Sequence, residues 1–247
     1  MKISAVSYLN TKPFLFGLRA KKIDGLEISV DIPSECARKV LEQEVDLGLI
    51  PVAVIPLMKD AHILPGFCIG ADGKVDSVKL YSHVPLHEIK TILLDYQSRT
   101  SVMLARVLAH EFWKITPEWQ KASAGFEEKT GGTTAAVVIG DRTFSMNGHF
   151  PYEYDLAEEW KKMTGLPFVF AAWVSHKQLT EVQISTLQSA LEYGLQNIAE
   201  VVKEESIKYP TFDVEKYLSK SLKFRLDEQM ERGMSLFLAK AGKFNIS

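Results

Sequence analysis

The sequence predicts an α/β protein of two lobes with a ligand cleft between them. Short β-branched apolar runs alternate with helical periodicities through the first half of the chain. After Trp173 the periodicity is helical only. Several apolar runs end in polar clusters, as strands do where an open sheet meets a ligand.

Lys2-Ile3-Ser4-Ala5-Val6 reads as a short buried strand that runs straight into Ser7-Tyr8-Leu9-Asn10-Thr11. Asn10 can both donate and accept there, with a local Asx-turn as its ordinary role. Asp46-Leu47-Gly48-Leu49-Ile50-Pro51 repeats the pattern, a strand stopped by proline. Further strands are expected near 27–31, 66–69, 77–81, 91–94, 136–139 and 168–174. A helix starting at Pro33 suits proline in the first turn and puts Cys36, Ala37 and Val40 on one face. Another is expected from Ser101 to Phe112, and helices fill 180–203, 213–220 and 227–240. This C-terminal block needs a surface to cover, so it should return to the first sheet. The expected division is lobe 1 from 1–83 and 174–247, with 84–173 as an inserted lobe 2 and the Gly70–Ser77 stretch as a hairpin-like turn.

Ser98-Arg99-Thr100-Ser101 stands between the strand Thr91-Ile92-Leu93-Leu94 and a helix. Hydroxyls and free amides at a helix start can hold a carboxylate or phosphate, although helix capping alone accounts for such residues. Ile139-Gly140-Asp141 is a third polar strand end, readable as a turn or as a ligand contact.

Bulk composition excludes several classes. With 247 residues, 46% hydrophobic, the chain can bury a large core. Its 29 basic and 31 acidic residues give a net charge of −2 with no basic run, so nucleic acid is not an expected partner. No stretch approaches the ~20 apolar residues of a membrane span. A strand beginning at residue 2 leaves no place for an export leader, which points to the cytoplasm. The two cysteines, Cys36 and Cys68, fall in no metal or redox pattern and are expected as buried thiols. Six histidines share no metal-ligand spacing, and no GxSxG or phosphate loop occurs. Of the remaining acid–base groups, His149 and Glu153 are the candidates worth following.

Taken in order, Val6-Ser7-Tyr8-Leu9-Asn10-Thr11-Lys12-Pro13, Asp46–Pro51, Gly73–Val78, Ser98–Ser101, Ile139–Asp141 and Tyr154–Trp173 closely resemble the chorismate dehydratase family over nearly the whole chain. Arg142-Thr143-Phe144 departs from the small residue and leucine usual there, which leaves the local packing open. The resemblance implies a type II periplasmic-binding-protein fold, kept in the cytoplasm and turned to catalysis without a cofactor or metal. It further implies that chorismate is dehydrated to 3-[(1-carboxyvinyl)oxy]benzoate on the futalosine route to menaquinone. Motif matching carries the catalytic asparagine to Asn10 and the active-site serine to Ser77. Ser7, Tyr8, Ile50, Ser98, Arg99, Thr100, Ser101 and Asp141 are the expected substrate contacts. Two rival readings are a non-catalytic binder of a small carboxylate and the sibling 1,4-dihydroxy-6-naphthoate synthase. Oligomeric state stays open.

Overall fold

The computed structural model describes residues 1–244 as two mixed sheets flanked by helices. In the first sheet β1 (Lys2–Val6) lies between β2 (Glu27–Asp31) and β3 (Leu47–Pro51), parallel to both. β10 (Phe168–Ser175) runs antiparallel to β3 and to β4 (His62–Ala71), and β11 (Lys223–Leu226) closes the edge antiparallel to β4. In the second sheet β6 (Thr91–Leu94) is parallel to β7 (Glu118–Lys121) and β8 (Thr134–Ile139). β5 (Val78–Ser82) runs antiparallel to β8 and β9 (Tyr152–Asp155).

The sheets are mixed because the two strands nearest the crossings between lobes, β5 and β10, run against their neighbours, as β11 does against β4. The chain leaves the first sheet after Ala71, enters the second at Val78 and returns at Phe168. β5 therefore belongs to the second sheet, although the expected boundary at 83 put it in the first. Gly70–Ser77 is the crossing between lobes, not a hairpin. β5 is buried along its whole length because β8 and β9 flank it on both edges. The last three residues assigned to lobe 1 lie outside the described residues.

Among the described residues eight α-helices surround the sheets: α1 (Lys12–Ala20), α2 (Pro33–Leu41), α3 (Thr100–Leu108), α4 (Leu156–Thr164), α5 (Glu181–Gln196), α6 (Ile198–Glu205), α7 (Val214–Lys216) and α8 (Glu228–Ala241). α2 starts on Pro33, carries Glu35 in its first turn and Arg38 and Lys39 in its last, and buries Cys36, Ala37 and Val40 as its spacing predicts. Asp155 caps α4 by accepting from the Ala157 and Glu158 amides at 3.1 and 3.2 Å. Thr180 and Gln183 form a capping box at the start of α5.

The C-terminal helices do return to the first lobe. α5 crosses α1 so closely that a β-carbon on Gly17 would lie 1.9 Å from the Ala190 carbonyl oxygen, and one on Gly194 as close to the Pro13 oxygen. Glycine at both positions lets the two backbones touch. The resulting core is continuous from β1 through β10 to α8, with Trp160, Trp173, Phe168 and Phe237 at most 1% exposed. Cys36 and Cys68 are buried free thiols within it. Among the described residues no helix is long and apolar enough to cross a membrane.

Candidate functional site

The cleft between the sheets holds about 530 Å³ of space, counted out to its mouth. Its first-lobe wall is Tyr8, Asn10 and Thr11 after β1, Leu49 and Pro51 of β3, and Phe170 and Ala171 of β10. Its second-lobe wall is Ser77 and Val78 at the start of β5, Ser98, Thr100 and Ser101 at the start of α3, and Ile139 and Gly140 at the end of β8. Both expected catalytic residues, Asn10 and Ser77, thus open onto one cavity from opposite lobes. Among the described residues no Asp, Glu, His, Lys or Arg side chain lines it.

The hydroxyls of this wall share a polarity. Ser98 Oγ accepts from the Ser101 amide at 3.0 Å, and Thr100 Oγ1 accepts from the Ala53 amide of the opposite lobe at 3.2 Å. An amide can only donate, so each hydroxyl keeps its own hydrogen for another acceptor. Ser98 does cap the helix, as its ordinary reading held, and it lines the cavity as well. Ser77 Oγ lies 2.8 Å from the Tyr217 hydroxyl. The wall is a set of neutral donors, suited to oxygen atoms of a ligand and above all to a carboxylate.

Tyr8 closes one side. Its hydroxyl donates to Gln97 Oε1 across the cleft, and its ring lies on Gly140. Burial, then the charge of Asp95, push the Tyr8 phenol well above its ordinary value, so it acts as a neutral donor. The other expected contacts lie outside the cavity. Ile50 is wholly buried on the far side of β3, because neighbouring strand residues face opposite ways and Leu49 and Pro51 take the cleft side. Ser7 is pinned by its amide to the Asp31 carbonyl at 2.8 Å. Arg99 is exposed and lines a separate outer pocket with Arg106 and Lys121. Asp141 sits beside the cleft as a bridge between lobes: it accepts from the Leu9 amide at 3.0 and 3.2 Å and from the Tyr209 hydroxyl at 2.7 Å. Burial raises its carboxyl above the usual carboxylate range, while those two donors hold it down.

A family profile described as menaquinone biosynthesis matches residues 1–243. The chain belongs to that family. It is 26% identical over 219 residues to a chorismate dehydratase of Thermus thermophilus, a match covering 81% of this chain and 79% of the relative. Among solved structures it is similar to a protein of Archaeoglobus fulgidus, with a TM-score of 0.77 at 13% identity over 98% of this chain and 96% of that one. It also resembles a Candida albicans protein described as having the generic periplasmic binding protein fold, with a TM-score of 0.60 at 15% identity over 100% and 91% of the two chains. The alkanesulfonate-binding protein of Xanthomonas axonopodis gives 0.58 at 14% identity over 100% and 94%. The expected two-lobed binding-protein fold is the fold of this menaquinone biosynthesis family member.

The departure at Arg142-Thr143-Phe144 is absorbed by packing. Arg142 pairs with buried Asp95 and with Glu127 at 2.5 Å, and Asp95 in turn accepts from the Gln97 and Ile139 amides at 2.9 and 3.0 Å. That network ties the end of β8 to the loop carrying Ser98. Thr143 Oγ1 donates to the Gly140 carbonyl at 2.8 Å, and Phe144 stacks on Phe212 with ring centroids 3.5 Å apart. His149 and Glu153 are placed away from the cleft. His149 is exposed, and Glu153 is engaged by Lys79 at 2.9 Å and by the Gly148 amide at 2.6 Å. Sequence reasoning missed Phe170, Leu222 and Tyr217 at the site: Phe170 lies within the Tyr154–Trp173 motif without having been singled out, and Leu222 and Tyr217 stand 140 residues or more from Ser77 and belong to no motif.

Proposed function

We propose that this protein is a chorismate dehydratase, a carbon–oxygen lyase that converts chorismate to 3-[(1-carboxyvinyl)oxy]benzoate and water. The reaction takes the proton from the ring carbon bearing the enolpyruvyl ether and expels the hydroxyl of the neighbouring carbon. Proton and hydroxide leave together as water, and the ring becomes aromatic. The observation that carries the reading is the cavity wall: neutral hydroxyls from both lobes, those of Ser98 and Thr100 with their hydrogens free to donate, and no side-chain base among the described residues.

A base is nonetheless required, and chorismate brings one. Its enolpyruvyl carboxylate, folded over the ring, reaches the proton on the carbon to which its own arm is attached. With no arginine or lysine among the described residues that line the cavity, that carboxylate keeps more of its basicity than an ion-paired one would, because an adjacent cation lowers a carboxyl pKa. Holding the arm in a reactive pose can supply up to ~7–11 kcal/mol of the barrier in favourable intramolecular cases. Asn10 and Ser77 hold the arm and the departing hydroxyl, and Ser98, Thr100 and Ser101 anchor a carboxylate through hydroxyls and the helix start. The scheme draws on the substrate and this chain's own side chains, and we place the activity in the cytoplasm.

The test is direct. Purified protein with chorismate should bleach the diene absorbance and give a product lighter by one water on mass detection. Calorimetric binding of chorismate without conversion would overturn the enzyme reading in favour of a binding protein, and neither binding nor conversion would remove chorismate as the ligand.

A further inference from the structure

Tyr217 belongs to no motif, yet it is the one protein partner of the Ser77 hydroxyl among the described residues, at 2.8 Å. It is 1% exposed. It opens the π-helical turn Tyr217–Ser221 that follows α7, a local widening of the helix of the kind that often marks functional positions. Its ring is held edge-on by Phe144 and Phe212, with centroids 5.4 Å from each. These two rings are themselves stacked, so the phenol has a fixed position set from both the second lobe and the C-terminal segment. The Asn10 side chain comes up to the same phenol from the first lobe. Tyr217 thus stands between the two residues that the functional reading makes catalytic.

The polarity of this chain follows from chemistry. Burial pushes the Tyr217 phenol far above its ordinary value and outweighs its polar contacts with Ser77 and Asn10, so it stays a neutral O–H. A phenol is the more acidic of two facing hydroxyls and hence the better donor. The Tyr217 O–H therefore donates to Ser77 Oγ. The hydrogen left without a partner is that of Ser77, at the cavity wall.

We propose that Tyr217 is a positioning residue that fixes Ser77 as a hydrogen-bond donor toward the substrate oxygen it serves. This deepens the dehydratase reading and rests on it. Ser77 shares its polarity with Ser98 and Thr100, each of which also accepts from a protein donor behind it. Unlike those two, it depends on a side chain that a single oxygen atom's removal can silence.

The test compares wild type, Tyr217→Phe, Ser77→Ala and the double variant with chorismate as substrate. Tyr217→Phe keeps the ring packing and frees Ser77 to rotate. It should lower kcat about 10- to 100-fold, the scale of a slightly misplaced group, while KM stays within about threefold. In the Ser77→Ala background the same substitution should cost nothing further, a non-additivity that a merely structural tyrosine would not give. Equal kcat for wild type and Tyr217→Phe, or full additivity in the double variant, would overturn the inference. A wild type inactive on chorismate would overturn the dehydratase reading and this inference together, whereas an active wild type beside an equally active Tyr217→Phe overturns this inference alone.

Discussion

Gly140 stands at φ +69° at the end of β8, and a β-carbon there would lie 2.6–2.8 Å from three atoms of the Tyr8 ring. Two costs follow from one methyl group. The left-handed backbone disfavours an L side chain by ~1–2 kcal/mol, and the Tyr8 ring must leave its place over the cleft, taking with it the hydrogen bond to Gln97. Gly140→Ala should therefore fold, with a melting temperature lower by about 2–8 °C for a chain of this size, yet lose more than about tenfold in kcat/KM for chorismate. Unchanged kinetics with a lowered melting temperature would show that the Tyr8 wall has no part in turnover. At this scale the sequence was most legible where a strand ends in polar residues. Tyr8, Asn10, Ser98, Thr100 and Ser101 were singled out by that pattern, Ser77 by the family resemblance alone, and all six face one cavity. Ile50 shows the limit: a strand-end reading finds the right strand, but the two-residue alternation that decides which face meets the cleft depends on the sheet around it. Tyr217 had no local signal, since its partner Ser77 lies 140 residues away.

At the scale of elements, strong apolar runs declared themselves and weak ones did not. β1, β3 and β5 are buried end to end apart from Lys2, and their sequences read as strands without help. β7 (Glu-Trp-Gln-Lys) and β11 (Lys-Phe-Arg-Leu) are four-residue edge strands with charged outward positions, so only their neighbours make them strands. β9 likewise is a short edge strand beside β5. A polar cluster also joins elements that the sequence could only set side by side. Asp31, at the end of β2, accepts from Ser4 of β1 at 2.8 Å, from Ser29 at 2.7 Å and from Lys39 of α2 at 2.7 and 2.8 Å. Burial works against its ionisation, but the hydrogen bonds from Lys39, Ser29 and Ser4 outweigh that and hold its carboxyl below the ordinary value of 3.8. A carboxyl depressed in the folded state stabilises the fold above its unfolded value, and this contribution is lost as pH falls from 3.8 through the lower folded value. Asp31→Asn should cost ~1–3 kcal/mol in urea unfolding at pH 7, with the gap to wild type closing at pH 3 and below. The same gap at both pH values would mean that the charge of Asp31 contributes nothing.

For the whole molecule, the arrangement is of two lobes held shut by a few polar bridges around a cavity. The chain crosses between sheets at 72–77 and 165–167, and the segment from Tyr209 to Ser221 returns across both lobes. That segment bonds to Asp141 through Tyr209, to Ser77 through Tyr217 and to Asp76 through Ser221 at 3.0 Å. Asp141 is the centre of this closure. It gathers the Leu9 amide of the first lobe and the Tyr209 hydroxyl of the C-terminal segment onto the second lobe. Hydrogen bonds to a charged group contribute ~1.5–3 kcal/mol each, so removing the carboxylate shifts the lobes toward an open form by about the energy of two such bonds, less what water returns. In that case substrate must drive closure before reaction. Asp141→Ala should raise the KM for chorismate about 10- to 100-fold with a smaller effect on kcat, because the closed complex, once formed, keeps Asn10 and Ser77 in place. Small-angle X-ray scattering should show a larger radius of gyration for the free variant, returning to the wild-type value at saturating chorismate. Tyr209→Phe, which removes one bridge and keeps the other, should fall between the two in both measurements. A free Asp141→Ala protein as compact as wild type, with kcat lost and KM unchanged, would place Asp141 in the chemistry instead of in the closure of the lobes.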